Sequence, residues 1–215
     1  MAPPTRERIL TAARELFNAQ GYGNVTTAAL AQAAGVAEGN LWYHFNNKRA
    51  LLEAVSDAFV ARITARLAIR PRPGAPVVEE YVRFLRAFAA ELNDYRFLYR
   101  DQADYGEHAP PVLQRLPDFY ARTGAQLTAF FEAMIAAEEL DWPAGRLADL
   151  VVNAIIIIRF GLEYLRERDG GREHGAAAVD ETFLQHLTLF EHALRPEAAR
   201  RLRAALAEGM RVAAA

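Results

Sequence analysis

The stretch TTAALAQAAGVAEGNLWYHFNNKRALL, Thr26 to Leu52, decides how the whole chain reads. Thr26 or Thr27 offers an N-cap hydroxyl, and Leu30 and Ala31 follow at the spacing of a short helix, Ala28 to Ala34. Gly35 stops that helix and can enter the left-handed conformation a tight turn needs. A third helix is predicted over roughly Glu38 to Phe45, where Leu41 and Phe45 lie four apart and share one face. Asn46 or Asn47 then caps a fourth, in which Leu51, Leu52, Val55, Phe59, Ile63 and Leu67 form one apolar stripe. Two short helices joined at a glycine make a helix-turn-helix. Ala31 is small where they must approach closely, and Val36, Leu41 and Phe45 supply the buried side.

With Leu41 and Phe45 turned inward, Trp42, Tyr43 and His44 fan over the remaining faces of a short helix, which cannot bury all three. Each has a polar tip able to reach a phosphate or a base edge. The helix N-terminus adds unpaired N–H groups and a positive dipole end. Glu38–Phe45 therefore reads as a recognition helix for the major groove of double-stranded DNA. Lys48, the only lysine in the chain, falls in the first turn of the fourth helix, where its charge opposes the dipole. A phosphate partner would account for that placement. Singly, simpler roles exist: capping for Thr26 and Thr27, solvation for Lys48, packing on the fourth helix for His44.

Upstream, Ile9, Leu10, Ala13, Leu16 and Phe17 recur at three- and four-residue steps, predicting a helix from Thr5 to Ala19 that ends at Gly21 and Gly23. Downstream, Pro71, Pro73, Gly74 and Pro76 break the pattern and place a boundary between residues 1–70 and 71–215. Further helices are predicted over Val77–Asn93, Tyr95–Tyr105, Val112–Glu139, Ala144–Arg168, Asp180–Leu194 and Pro196–Arg211, with a polar loop from Asp169 to Gly175. Nothing alternates as a strand would. The expected fold is all-α: a three-helix N-terminal DNA-binding domain, then a helical bundle.

Composition narrows the function. At 52% hydrophobic and 24% charged, the 215 residues suit a globular protein. The absence of cysteine excludes disulfides, zinc-thiolate sites and cysteine nucleophiles. Residues 1–70 hold eight basic and five acidic side chains, whereas the remainder is net acidic, a polarity that suits an N-terminal part meeting a polyanion. The first eight residues lack the apolar core of a signal sequence, and the Leu150–Ile158 run is too short to span a bilayer, so a cytoplasmic protein without membrane association is expected.

Enzymatic patterns are missing. The five histidines are scattered, with His186 and His192 six apart on different helix faces, and no HExxH occurs. Gly170-Gly171 follows no strand, Ser56 is the only serine, and no Gly-x-Ser-x-Gly is present. No catalytic residue, metal or cofactor is expected.

In the C-terminal part aromatic residues are frequent, and most fill ordinary core. A subset is expected to line a cavity for a largely apolar small molecule: Phe88, Tyr95, Tyr99, Phe119, Phe130, Met134, Asn153 and Phe160. Asn153 interrupts a strongly apolar helix and so requires a partner. Val151, Val152, Ile155, Ile156 and Ile158 cover more than one side of that helix, which predicts burial on several sides.

Residues 5–67 resemble the DNA-binding domain of the TetR family of regulators. The matching features are Phe17 with Gly21-Tyr22, Thr26-Thr27, Leu30-Ala31, Ala34-Gly35-Val36, Leu41-Trp42-Tyr43-His44-Phe45, Asn47-Lys48 and Leu51-Leu52. Tyr95–Asp101 is similar to a segment of some members. The resemblance implies that Thr27, Tyr43, His44 and Lys48 contact phosphates, with Thr26 beside them, while Glu38, Gly39, Asn40 and Trp42 face base edges. Ala28 stands where some members carry a base-reading arginine, and Trp42 where tyrosine is common. Glu38 could accept from a cytosine amino group or cap its own helix. A homodimer is implied, pairing helices near 144–168 and 180–194 in a four-helix bundle and setting two recognition helices on a pseudo-palindromic operator. An effector that favours one arrangement of the C-terminal helices would tilt the fourth helix and release a repressor.

Overall fold

The computed structural model describes residues 3–72, 74–170 and 176–213. The expected polar loop therefore lies outside the described residues from 171 to 175, as does Pro73. Among the described residues the secondary structure is helical, with one isolated antiparallel bridge between Leu140 and Leu194. None of these helices is long and apolar enough to cross a membrane.

The helices are α1 (Thr5–Gln20), α2 (Thr27–Ala34), α3 (Glu38–His44), α4 (Lys48–Leu67), α5 (Val77–Asp94), α6 (Phe97–Arg100), α7 (Gln102–Tyr105), α8 (Pro110–Leu113), α9 (Leu116–Ala136), α10 (Leu147–Arg168), α11 (Ala176–Leu187) and α12 (Pro196–Ala213). They form two compact units. One comprises Met1–Thr64 with Glu91–Pro117, the other Ala65–Ala90 with Asp118–Ala215. The units thus do not follow a single cut near residue 70, because residues 91–117 join the N-terminal helices.

The reason is polar and specific. Asn18, buried near the end of α1, donates to the Asp94 carbonyl at 2.8 Å and accepts from the Phe97 N–H at 3.2 Å. Arg100 donates to the carbonyls of Phe17 (2.8 Å) and Asn18 (2.9 Å), which satisfies acceptors a helix C-terminus leaves open. Asp101 accepts from the Tyr22 N–H at 2.8 Å and pairs with Arg100 at 2.6 Å. Phe17 packs on Phe97 and Tyr22, and Tyr22 on Tyr105, with ring centroids 5.2–5.8 Å apart. This engagement also explains why the single helix predicted over Tyr95–Tyr105 is two short ones: Asp101 leaves helical geometry between them (φ −100, ψ 24). Similarly, the helix expected from Val112 divides into α8 and α9, with Pro117 in the first turn of α9, and α9 ends before Glu138, whose φ is +56.

The second unit has an aromatic core. Tyr81 and Phe84 of α5 meet Phe130 and Phe131 of α9, and Phe131 meets Phe190, with centroids 5.1–5.5 Å apart for the closest pairs. Tyr81 and His186 are both fully buried, and their Oη and Nε2 lie 2.5 Å apart. Burial depresses the His186 pKa to about 3, so the imidazole is neutral. At the α10–α11 crossing, Gly161 admits Thr182 so closely that a Cβ would come within 2.6 Å of its methyl.

Candidate nucleic-acid interface

The site is built by α2, α3 and the start of α4. Thr26 caps α2 by accepting from the Ala29 N–H at 3.2 Å, which settles the choice between the two threonines; Thr27 is the first helical residue. Gly35 ends α2 with φ +64, ψ 42, and the Val36 N–H returns to the Ala31 carbonyl at 3.0 Å. Arg8 of α1 adds a support that local pattern does not reveal. Its Nη2 donates to the carbonyls of Ala34 (2.6 Å) and Gly35 (3.1 Å), setting a positive charge at the C-terminal end of α2.

Leu41 is fully buried and Phe45 nearly so, as their four-residue spacing requires. The anchored helix leaves Glu38, Gly39 and Asn40 exposed, Trp42 and His44 half-buried, and Tyr43 83% exposed, so that Tyr43 is the most exposed large apolar side chain among the described residues. Tyr43 and His44 meet edge to face at 5.4 Å. Ala37, not Glu38, occupies the N-cap of α3 and makes no side-chain cap bond; Glu38 begins the helix. A Cβ added at Gly39 would meet no atom within 4 Å, so internal packing does not require glycine there.

Asn47 caps α4, its Oδ1 accepting from the Ala50 N–H at 2.8 Å. Lys48 is half-buried. Its Nζ donates to the Tyr22 carbonyl at 2.5 Å and lies 4.4 Å from the centre of the Tyr22 ring. Burial lowers its pKa, and the Asp104 charge partly offsets that. One of its three ammonium donors is thus used within the protein. Thr26, Thr27, Glu38, Gly39, Asn40, Trp42, Tyr43, His44 and Lys48 accordingly lie on or beside one short helix-turn-helix.

A family model described as "Bacterial regulatory proteins, tetR family" matches residues 9–55, and one described as "Bacterial transcriptional repressor" matches residues 58–202. The chain belongs to the TetR family. Among TetR-family relatives, it is 31% identical over 115 residues to the HTH-type transcriptional regulator UidR of Escherichia coli K12, covering 54% of this chain and 58% of that protein. It is 39% identical over 103 residues to the class D tetracycline repressor protein from Escherichia coli, covering 48% and 44%. The matched part thus spans less than two thirds of each of these curated relatives. A TetR-family regulator from Marinobacter aquaeolei VT8 superposes with a TM-score of 0.82 at 26% identity, covering 96% of this chain and 98% of that one.

The residues expected to wall an effector cavity fall into separate groups. Tyr95 and Tyr99 belong to the first unit, where both pack on Phe59 (5.3 and 5.7 Å). Phe88, Phe130 and Met134 are buried in the second unit, and Phe119 stacks on Phe88 at 6.1 Å. Asn153 and Phe160 are corrected by the structure: both are exposed on α10 rather than lining an internal cavity. Asn153 borders an open cleft of about 670 Å³ with Trp142 and His192. Phe160 borders a shallow apolar groove with Ile156 and Tyr164. Of the aliphatic set on this helix, Val151 and Ile158 are buried, whereas Val152 and Ile156 are about half exposed.

Proposed function

We propose that the protein is a ligand-responsive, DNA-binding transcriptional repressor that acts as a homodimer on a pseudo-palindromic operator and leaves it when a small, largely apolar molecule binds. The observation that carries this reading is the orientation of α3. Leu41 and Phe45 fasten it inward, and Glu38, Gly39, Asn40 and Tyr43 are left exposed. Residues of that kind on a helix of a helix-turn-helix suit a major groove. Thr27, Tyr43, His44 and Lys48, with Thr26, take phosphates; Glu38, Gly39, Asn40 and Trp42 take base edges. Residues 1–70 carry DNA recognition and residues 71–215 the dimer contacts and most of the effector site, with Phe88, Phe119, Phe130 and Met134 as the apolar wall. The protein has no catalytic activity, takes no cofactor and works in the cytoplasm.

A dimer is supported by the outer face of α10 and α11. Val152, Ile156, Phe160 and Tyr164 follow one another at four-residue steps along α10 and, like Leu184 of α11, are 48–64% exposed, an apolar stripe that a second copy would cover. The deciding experiment is a shift assay on DNA flanking the gene, combined with light scattering. The Tyr43→Ala/Lys48→Ala double variant should lose operator binding while remaining a dimer. Unchanged binding by that variant would refute the docking, and a monomer at micromolar concentration would refute the assembly.

A further inference from the structure

The second unit carries a cleft of about 390 Å³, between α5, α9 and the segment that follows α4, whose charge and floor specify a ligand class. Its floor is Phe84 and Phe130, buried and stacked at 5.1 Å with 27° between the rings. Arg70, Arg72 and Arg83 border it, against one carboxylate, Glu80.

Glu80 does not neutralise the three arginines equally. It accepts from the Arg72 N–H (3.1 Å) and Nε (2.8 Å) and pairs with Arg72 Nη2 at 2.7 Å. Arg83 reaches it only at 3.6 Å. Among the described residues Arg70 meets neutral oxygens alone, those of Leu67 and of the Gln126 side chain, both through Nη1. A carboxylate has about four acceptor sites and each guanidinium five donors, so Arg72 takes three of the sites on Glu80 while Arg70 and Arg83 keep most of their donors uncommitted. Phosphate or carboxylate recognition by arginine uses this kind of surplus.

We infer that this cleft binds an aromatic or alkyl carboxylate, its anionic head held by Arg70 and Arg83 and its apolar body laid on Phe84 and Phe130. The cleft shares Phe130 with the apolar wall of the proposed function and rests on that reading for its regulatory meaning, but binding is measurable without DNA. Equilibrium dialysis of the full chain against 2-naphthoate and against neutral 2-naphthalenemethanol tests it. Wild type should take up naphthoate at least about tenfold more tightly than the alcohol. Arg70→Gln/Arg83→Gln should remove that preference and leave the alcohol within about twofold, since only charge-assisted bonds are lost. Ala87→Phe, which fills the cleft from α5, should weaken both. Should the double variant misfold, Arg83→Gln alone, whose ion pairing is a single 3.6 Å contact, should still reduce the preference.

Equal affinity for acid and alcohol in wild type, or a preference untouched by Arg83→Gln, would overturn the inference. Operator binding followed in parallel keeps the two readings apart. Naphthoate uptake with no effect on DNA affinity counts against the regulatory reading and leaves the cleft assigned. Intact operator binding with no uptake counts against the cleft alone.

Discussion

Lys48 holds the carbonyl oxygen of Tyr22 at 2.5 Å while its ammonium lies over the ring of the same residue. The side chain therefore joins the start of α4 to the turn after α1, and it reaches any phosphate as an already ordered group. Lys48→Met, which keeps the stem and removes the charge, should reduce the slope of log K against log salt by about 1 and weaken all DNA sequences alike. Fluorescence anisotropy between 50 and 200 mM salt reads both (about the range over which phosphate-driven binding is most sensitive). A slope equal to wild type would show that Lys48 is a structural tie only.

Arg8 should matter for stability without touching DNA. It is the partner of the Ala34 and Gly35 carbonyls, and Arg8→Ala leaves those acceptors to solvent. A loss of about 1–2 kcal/mol is expected from charge-assisted bonds at a helix C-terminus that is partly open to water. Urea denaturation measures it, and an unaltered midpoint would contradict the role.

Two glycines in the same motif should respond oppositely. Gly35→Ala puts a side chain at φ +64 with the Arg8 Nη2 3.0 Å from the new Cβ, and should destabilise the fold by about 1 kcal/mol or more. Gly39→Ala meets open space in the first turn of α3 and should leave stability unchanged or raise it by up to about 1 kcal/mol. Its cost should appear only in operator affinity, if the backbone of α3 approaches the duplex there. Thermal melts paired with shift assays separate the two effects, and a Gly39→Ala variant with wild-type affinity would place the groove contact elsewhere on α3.

His186 predicts an acid-sensitive core. Its folded pKa, about 3, lies below the ordinary 6.5 because burial disfavours the charged ring. The unfolded chain therefore binds the extra proton first, so this contribution to stability is complete above pH 6.5 and is lost as pH falls from there toward 3. Between pH 7 and 5 the single site should remove about 2 kcal/mol. His186→Gln should show a correspondingly shallower pH dependence in urea titrations, and the same slope in both proteins would mean that His186 is not the group responsible.

The parts of the fold legible in the sequence were those with a local rule. Leu41 and Phe45 are read as buried from spacing alone, Gly35 as left-handed from its place between two helices, and Asn47 as one of two cap candidates. Arg8 was not legible, because its acceptors lie 26 residues away and carry no side-chain signature. The same holds for Arg100 and Asp101, whose partners are backbone groups about 80 residues distant. On α10, apolar composition predicted contact on many sides; the structure shows which side the chain itself fills, with Val151 and Ile158, and which it leaves open, with Ile156 and Phe160.

The ties from Asn18, Phe17 and Tyr22 to residues 94–101 have a consequence for how the molecule is made. A nascent chain that has released only the helix-turn-helix still lacks the groups that close the end of α1. The end of α1 closes only once residues 94–101 have also left the ribosome, so a product terminated before them has its helix-turn-helix but not the groups that cap the helix behind it.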